Sequence, residues 1–302
     1  MSAYVGRFAP SPSGPLHLGS LFTATVSYLD AKAHDGLWLL RIEDIDPPRE
    51  VPGASQLIIE TLEIHGMVSD LPVFWQHERL VAYRATLDSL LGENKAYFCQ
   101  CTRSQIKANH PLYQGQCRQA HHNFGAIRWH NETTITEFTD RWHGLQQVKK
   151  TMPHQTLIEH SAFEDCVLQR KDGLVAYNLA VVLDDIAQGI THIVRGTDLL
   201  PTTLLQLNLW ESLTEQSIPN YAHCPVLVTK PGKKLSKQNH APALDNTKPL
   251  DNLRNVFALL GLHSNATSIN GLLADGIQQW RVNTPEFQQE MIVERHINPY
   301  DV

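Results

Sequence analysis

Two short segments hold residue types whose spacing invites chemistry. Near the start, Pro10, Pro12, Gly14 and Pro15 lead into His17-Leu18-Gly19-Ser20. Far downstream, Pro231-Gly232 is followed by Lys233-Lys234-Leu235-Ser236-Lys237. The prolines and glycine break any regular ladder and impose a rigid loop. A histidine and a glycine where such a loop meets a helix lie beside outward-pointing backbone N–H groups, which favour phosphate oxygens. Gly19, without a Cβ, lets a flat adenine or ribose come close to the backbone. A turn carrying three lysines can clamp a triphosphate and neutralise charge that develops during transfer. Taken singly, His17 reads as a loop histidine and the lysines as a solvated turn, because short motifs match by chance. Together and in this order they describe a nucleotide site that activates a carboxylate.

The elements that must position these residues are legible from periodicity. Residues 4–9 read as a short buried strand. Leu21, Thr25 and Tyr28 then share one helical stripe from Ser20 onward, with Phe22, Val26 and Leu29 beside it. Gly36 ends the helix, and residues 37–42 form the next buried strand, giving a βαβ unit with a right-handed crossover. Glu43 follows that strand at its C-terminal end, where open α/β sheets place ligands. Leu57, Ile58, Thr61, Leu62 and His65 lie at helical spacing, as do Leu80, Tyr83, Leu87, Leu90 and Leu91; both sets read as core stripes. Asp172-Gly173 reads as the turn of a hairpin, 166–170 against 174–177, with Tyr177 at its end. Residues 203–213 are a helix and residues 222–228 a strand leading into the lysine loop. Leu253, Val256, Phe257 and Leu260 mark a helix that ends at Gly261, and the tail beyond it reads as helical. Residues 99–165, rich in His, Thr and Gln with weak periodicity, read as an insertion between two halves of the sheet. The expected organisation is 1–98 and 166–240 as the two halves of the catalytic domain, 99–165 as the insertion, and 241–302 as a short helical C-terminal region.

Composition sets the frame. A chain of 302 residues exceeds one small core and fits two or three units. Hydrophobic residues make up 42% and charged residues 19%, as in an ordinary globular enzyme. The net charge of −6 means that any nucleic-acid surface must be a local basic patch. No run of about 20 apolar residues offers a membrane span, and no basic-then-apolar leader opens the chain. Five unevenly spaced cysteines suit a reducing cytoplasm better than a disulfide framework.

Three of those cysteines, Cys99, Cys101 and Cys117, can supply thiolates to one tetrahedral zinc. Spacing alone leaves the fourth ligand open among His110, His121 and His122, all ordinary zinc ligands nearby. The plainer alternative is three reduced cysteines in a core. Cys166 and Cys224 lie in apolar, strand-like runs and read as core residues.

Four segments in order carry a resemblance: Arg7-Phe8-Ala9-Pro10-Ser11-Pro12-Ser13-Gly14-Pro15-Leu16-His17-Leu18-Gly19-Ser20, Leu40-Arg41-Ile42-Glu43-Asp44-Ile45-Asp46, Ile193-Val194-Arg195-Gly196-Thr197-Asp198 and Lys234-Leu235-Ser236-Lys237. The chain to about residue 240 resembles the catalytic core of class I glutamyl-tRNA synthetases. The resemblance implies an α/β fold with a Rossmann-type parallel sheet, a zinc-bearing insertion and a short helical C-terminal region. Ser20, Leu235 and Gln238 depart from the family's ideal His-Ile-Gly-His and Lys-Met-Ser-Lys-Ser. Only about sixty residues follow the lysine loop, where full-length members continue into an anticodon-binding region. In this the chain is similar to the truncated branch, the glutamyl-queuosine tRNA(Asp) synthetases, which activate glutamate without tRNA.

That branch implies L-glutamate, ATP with Mg²⁺, and tRNA(Asp) bearing queuosine as substrates, for a cytoplasmic monomer. It implies His17 and Lys237 as catalytic residues and His17, Gly19, Lys234 and Lys237 at ATP. It implies Arg7, Phe8, Ala9, Pro10, Ser11, Glu43, Tyr177 and Arg195 at glutamate, and Tyr113 as fourth ligand of a structural zinc, with His121 as the alternative. Arg7 and Arg195 can each pair with a carboxylate, and Glu43 can accept from an ammonium. Arginine at 195 favours glutamate over glutamine, which would leave the guanidinium without a charge partner. As isolated residues both arginines would read as surface ion pairs. Two further readings follow from the same residues: a compact synthetase charging the tRNA 3′ end, and a catalytically silent tRNA-binding paralogue.

Overall fold

The computed structural model describes residues 4–109, 113, 115–132, 134–147, 162–230, 233–234 and 242–293. Strand β1 (Val5–Phe8) leads through the proline-rich loop into helix α1 (Leu18–Ala33), and β2 (Leu37–Ile42) runs parallel to β1 with Val5 opposite Leu37 and Phe8 opposite Leu40. Helix α1 begins before Ser20 because His17 caps it, Nδ1 accepting the Ser20 N–H at 3.2 Å. The helix is buried on almost every side, so its apolar residues form no single stripe.

Helix α2 (Ala54–Ile64), strand β3 (Phe74–Trp75) and helix α3 (Leu80–Gly92) follow. Of the two expected core stripes, Ile58, Leu62, Tyr83, Leu87 and Leu90 are buried, whereas Leu57 and Leu80 face solvent at 37% and 40% exposure. Strands β4 (Ala96–Cys99), β5 (Ala126–Trp129) and β8 (Val167–Gln169) make an antiparallel sheet, so residues on both sides of the 99–165 segment are joined. Within that segment lie helix α4 (Arg103–Asn109) and a hairpin of β6 (Glu137–Asp140) and β7 (Gly144–Gln147).

The chain re-enters the main sheet through α5 (Tyr177–Ala187), β9 (His192–Gly196), α6 (Thr203–Leu213) and β10 (Asn220–Cys224). The five strands run β10-β9-β1-β2-β3 with every neighbouring pair parallel, a Rossmann-type sheet. Alternation along the strands divides the core. Trp38, Leu40 and Ile42 pack with α1 and the C-terminal helices, while Leu39 packs with Ile193, Leu204, Leu207 and Tyr221. The C-terminal region supplies α7 (Pro249–Leu259) and α8 (Ile269–Val282). Gly276 lets α8 approach α1 closely: a Cβ there would meet Phe257 at 2.6 Å and Leu29 at 3.1 Å.

Three expectations are corrected. Residues 222–228 are not one strand. Pro225, without an N–H, separates β10 from β11 (Val226–Lys230), which joins a different sheet with β12 (Lys233–Lys234) and β13 (Glu290–Ile292). The hairpin after Cys166 is reduced to β8 and one bridge, Gln169 to Val175, around Gly173 at φ +86°. Tyr177 belongs to no strand and opens α5. The tail is not wholly helical, since β13 lies parallel to β11. Among the described residues no helix is long and apolar enough to cross a membrane.

Candidate active site

The C-terminal ends of β1 and β2 lie side by side and present Arg7 and Glu43. In register with Leu39, Arg7 shares a sheet face with Arg41, the face covered by α5. Arg7 is 4% exposed, and its Nε and Nη2 donate to Asp185 Oδ1 and Oδ2 at 3.0 and 3.2 Å. Arg41 Nη2 donates to the same Asp185 Oδ1 at 2.5 Å, and its Nε to Gln188 Oε1 at 2.8 Å. Burial works against ionisation of Asp185, but Arg41 and Arg7 outweigh it and hold the carboxyl below the usual range. Burial likewise opposes the charge on Arg7, and the Asp185 carboxylate more than restores it.

Glu43 is half-buried, its N–H donating to the Pro10 carbonyl at 3.1 Å. Burial pushes its carboxyl up to about 7, against the downward pull of Arg41 and Arg7. Phe8 turns its ring into the core against Trp38, so only its backbone can serve the site. Ala9 and Pro10 are half-buried and Ser11 is exposed. Tyr177 lies at the start of α5; burial first, then the Glu43 and Asp185 carboxylates, push its hydroxyl up, against the opposing pull of Arg195 and Arg7.

Arg195 comes from β9 and is 4% exposed. Its Nε donates to His223 Nε2 at 3.0 Å and Nη1 to Gln206 Oε1 at 2.6 Å. Nη2 donates to Thr203 Oγ1 at 2.9 Å and to the Leu199 carbonyl at 3.3 Å. Its guanidinium lies 5.1 Å from the Tyr221 ring centre. All four of these acceptors are uncharged as arranged. The guanidinium has five N–H bonds; with four engaged, a single Nη1 N–H remains toward a ligand among the described residues. Arg7 has its Nε edge on Asp185 and keeps its Nη end. The expected bidentate grip on a carboxylate is thus open to Arg7 through that end, but not to Arg195 in this arrangement.

At the nucleotide end, the Ser20 N–H directed at His17 Nδ1 puts the proton of the neutral ring on Nε2. Gly19 is the second residue of α1 and half-buried. The backbone of Lys233 and Lys234 pairs with β11, Lys234 opposite Val228. Lys237, with Leu235, Ser236 and Gln238, lies outside the described residues. The chain after the lysine loop returns to His17, the Leu244 N–H donating to the Leu16 carbonyl at 3.0 Å.

The sulfurs of Cys99, Cys101 and Cys117 lie within 4.8 Å of one another, Cys101 and Cys117 at 3.5 Å. No described histidine joins this group, and His110 lies outside the described residues. Tyr113 is buried against the thiols, and its hydroxyl oxygen accepts the Cys117 N–H at 2.8 Å. Burial would raise the Cys117 thiol, but Tyr113, the Gln100 backbone and the neighbouring thiols bring it down to about 6, while burial pushes Cys101 up to about 12. Three soft sulfurs and one oxygen around a common centre fit a tetrahedral zinc. Arg128 lies over the Tyr113 ring at 3.8 Å. Cys166 and Cys224 are buried core residues, 5% and 0% exposed.

Sequence reasoning passed over the side-chain acceptors of the two arginines, Asp185, Gln206, Thr203 and His223, and over Arg41 and Asp140, which bond in turn to Asp185 and His223. Two signals existed. Asp184-Asp185 interrupts an otherwise apolar helical run, and Arg41 interrupts a leucine-rich strand; charges so placed are buried and need partners.

The family described as tRNA synthetases class I (E and Q), catalytic domain, matches residues 4–266. A glutamyl-Q tRNA(Asp) synthetase of Vibrio parahaemolyticus serotype O3:K6 is 46% identical over 286 residues, covering 93% of this chain and 94% of that protein. The protein of the same name from Escherichia coli (strain K12) is 44% identical over 285 residues, covering 92% of this chain and 89% of that one. Among solved structures, a glutamate tRNA ligase from Elizabethkingia meningosepticum CCUG26117 in complex with its amino acid superposes with a TM-score of 0.73 at 26% identity, over 95% of this chain. This chain spans 65% of the length of that ligase. The chain therefore belongs to the family of class I tRNA synthetases for glutamate and glutamine.

Proposed function

We propose that this chain activates L-glutamate with ATP, without tRNA, and transfers the glutamyl group to the queuosine base in the anticodon of tRNA(Asp). The observation that carries the glutamate half is Arg195, a buried cation whose four hydrogen-bond acceptors are all neutral. A ligand carboxylate completes its charge balance, and glutamine does not. Arg7 through its Nη end and Tyr177 would join it at the ligand, and Glu43 would accept from the substrate ammonium. The backbone of Phe8, Ala9 and Pro10 and the hydroxyl of Ser11 line the approach. The tRNA target rests on the relatives named for it, which match over nearly their whole length.

Glutamate's α-carboxylate is already ionised, so no general base is needed and catalysis is positioning and charge stabilisation. A carboxylate oxygen bonds to the α-phosphorus while the bond to the bridging β-phosphate oxygen breaks. Pyrophosphate leaves and glutamyl-adenylate remains. His17 through Nε2–H, with Lys234 and Lys237, stabilises charge on the phosphates, and Gly19 gives the nucleotide room. Mg²⁺ accompanies the nucleotide and shields its charge. A hydroxyl of the queuosine ring then attacks the glutamyl carbonyl and gives up its proton, and AMP leaves with the electrons of the broken acyl–oxygen bond. Cys99, Cys101, Tyr113 and Cys117 hold zinc as a structural clasp of the insertion.

The test is transfer of labelled glutamate to tRNA(Asp) with and without queuosine, beside pyrophosphate exchange without tRNA. The expected result is exchange that needs glutamate but no tRNA, and label only on queuosine-containing tRNA(Asp). Label at the 3′ end of tRNA(Glu) would replace this reading with ordinary charging. No exchange and no label would leave only a binding protein.

A further inference from the structure

We propose that Asp140 and His223 are positioning residues of the amino-acid site, which hold Arg195 in the orientation that receives a carboxylate. The inference rests on the reading of Arg195 as a glutamate ligand. Asp140 ends β6 and is 1% exposed. Its Oδ1 accepts the backbone N–H groups of Trp142 and His143, each at 3.0 Å, and that of His223 at 3.4 Å. The carboxylate is thereby locked into the turn of the β6–β7 hairpin. Its other oxygen lies 2.6 Å from His223 Nδ1.

A carboxylate that only accepts requires the ring proton on Nδ1, which leaves the Nε2 lone pair facing away. That lone pair meets Arg195 Nε at 3.0 Å, with the Thr203 hydroxyl at 3.3 Å. The opposite tautomer would set N–H against N–H, and a doubly protonated ring would set two cations in contact. One arrangement therefore satisfies the line Asp140, His223, Arg195. The ring is fully buried, and its own carbonyl is 2.8 Å from His143 Nε2, so both ends of the residue are tied to the hairpin. Nε is the inner donor of the guanidinium; fixing it sets the plane of the group and the direction of its remaining Nη1 N–H. The β6–β7 hairpin, no part of the main sheet, thus reaches the amino-acid pocket through one histidine.

The experiment measures KM for glutamate and KM for ATP separately, by pyrophosphate exchange with the full chain, for Arg195→Ala, His223→Leu, His223→Gln and Asp140→Asn, with thermal melts to verify folding. Loss of one charge-assisted hydrogen bond should raise KM for glutamate roughly tenfold in His223→Leu and Asp140→Asn, with KM for ATP within about twofold of the parent. Preference for glutamate over glutamine should fall in the same two variants. His223→Gln, whose side-chain carbonyl can take the place of Nε2, should recover most of the loss; a role confined to packing would move neither the KM split nor this rescue. If His223→Leu does not fold, Asp140→Asn decides. The inference is overturned if Arg195→Ala impairs glutamate use while the folded variants keep the parental KM, or if both KM values rise together. A parental glutamate KM in Arg195→Ala would instead remove the site assignment, and the positioning role with it.

Discussion

Glu43 is held between opposing influences: burial raises its carboxyl to about 7, and Arg41 and Arg7 pull it down. Because the folded value lies above the ordinary one, ionisation of Glu43 works against folding. That penalty is absent below the ordinary carboxyl range and fully present above about pH 7. A bound ammonium reverses the balance by favouring the carboxylate, so glutamate should displace a proton from the site. At pH 7 the release should be about half a proton per site, because a group titrating there is half protonated before binding. Calorimetry in buffers of different ionisation enthalpy reads this directly, and Glu43→Gln should abolish the release and weaken binding. A buffer-independent heat for the parent protein together with unchanged binding in Glu43→Gln would remove Glu43 as the ammonium acceptor. Motifs in the sequence single out Arg7, Glu43 and Arg195, and Tyr177 enters only through the family resemblance; Glu43, Arg7 and Arg195 all act electrostatically on Tyr177. Their partners were not legible. Arg7 and Asp185 stand 178 positions apart, and Arg195 and His223 on neighbouring strands 28 apart, separations at which spacing carries no signal.

At the scale of elements, periodicity served where one segment decides its own fate. The strand Leu37–Ile42 and the helix Thr203–Leu213 match their expected bounds because a continuous apolar run and a helical stripe need no distant partner to be recognised. It failed where a partner decides. Tyr177 opens a helix rather than closing a hairpin, and β13 forms because β11 offers it an edge. The cysteine cluster is the most local of the candidate sites, binding the end of β4 to the turn before β5. Zinc at a hundred times its dissociation constant should add about 2.7 kcal/mol to stability, since only the folded knuckle gathers the ligands. A chelator should lower the melting temperature accordingly, and Cys117→Ser should lose both the metal and the response. Tyr113→Phe separates the oxygen from the sulfurs: weaker zinc binding with the cluster intact is expected. Unchanged affinity, measured by competition with a chromophoric chelator, would exclude Tyr113 as the fourth ligand.

At the scale of the molecule, one carboxylate ties the C-terminal region to the catalytic sheet. Asp30 lies on α1 with its side chain fully buried. Its Oδ2 accepts from the Tyr4 hydroxyl at 2.5 Å and from Arg141 Nη1 at 2.6 Å; its Oδ1 accepts from Arg141 Nη2 at 3.0 Å and from Trp280 Nε1 at 3.1 Å. Four segments converge on it: the lead into β1, α1, the β6–β7 hairpin and α8. Tyr4 also stacks on His192 of β9 at 3.9 Å, and Trp142 meets both Trp280 and Phe287 edge-on. Nothing in the sequence announced a role for the tail, because Asp30 and Trp280 are 250 positions apart and each alone reads as a core residue of its own helix. Burial opposes the charge on Asp30, and Arg141, Tyr4 and Trp280 outweigh it, keeping the carboxyl below its ordinary value. The stability it contributes is therefore present above the ordinary carboxyl range and is lost as pH falls through the lowered value. Asp30→Ala leaves the Tyr4 hydroxyl and the Trp280 indole N–H without their acceptor, while the part-exposed Arg141 can turn to water, and should cost about 2–4 kcal/mol. Trp280→Phe removes one neutral donor to a charge and should cost about 1.5–3 kcal/mol. Because both act on one network, the double variant should lose less than the sum. Urea unfolding at neutral pH, with an unchanged slope, is the measurement. A loss below about 1 kcal/mol in Asp30→Ala, or strict additivity of the pair, would mean that α8 is held by apolar packing alone and that Asp30 does not join the tail to the sheet.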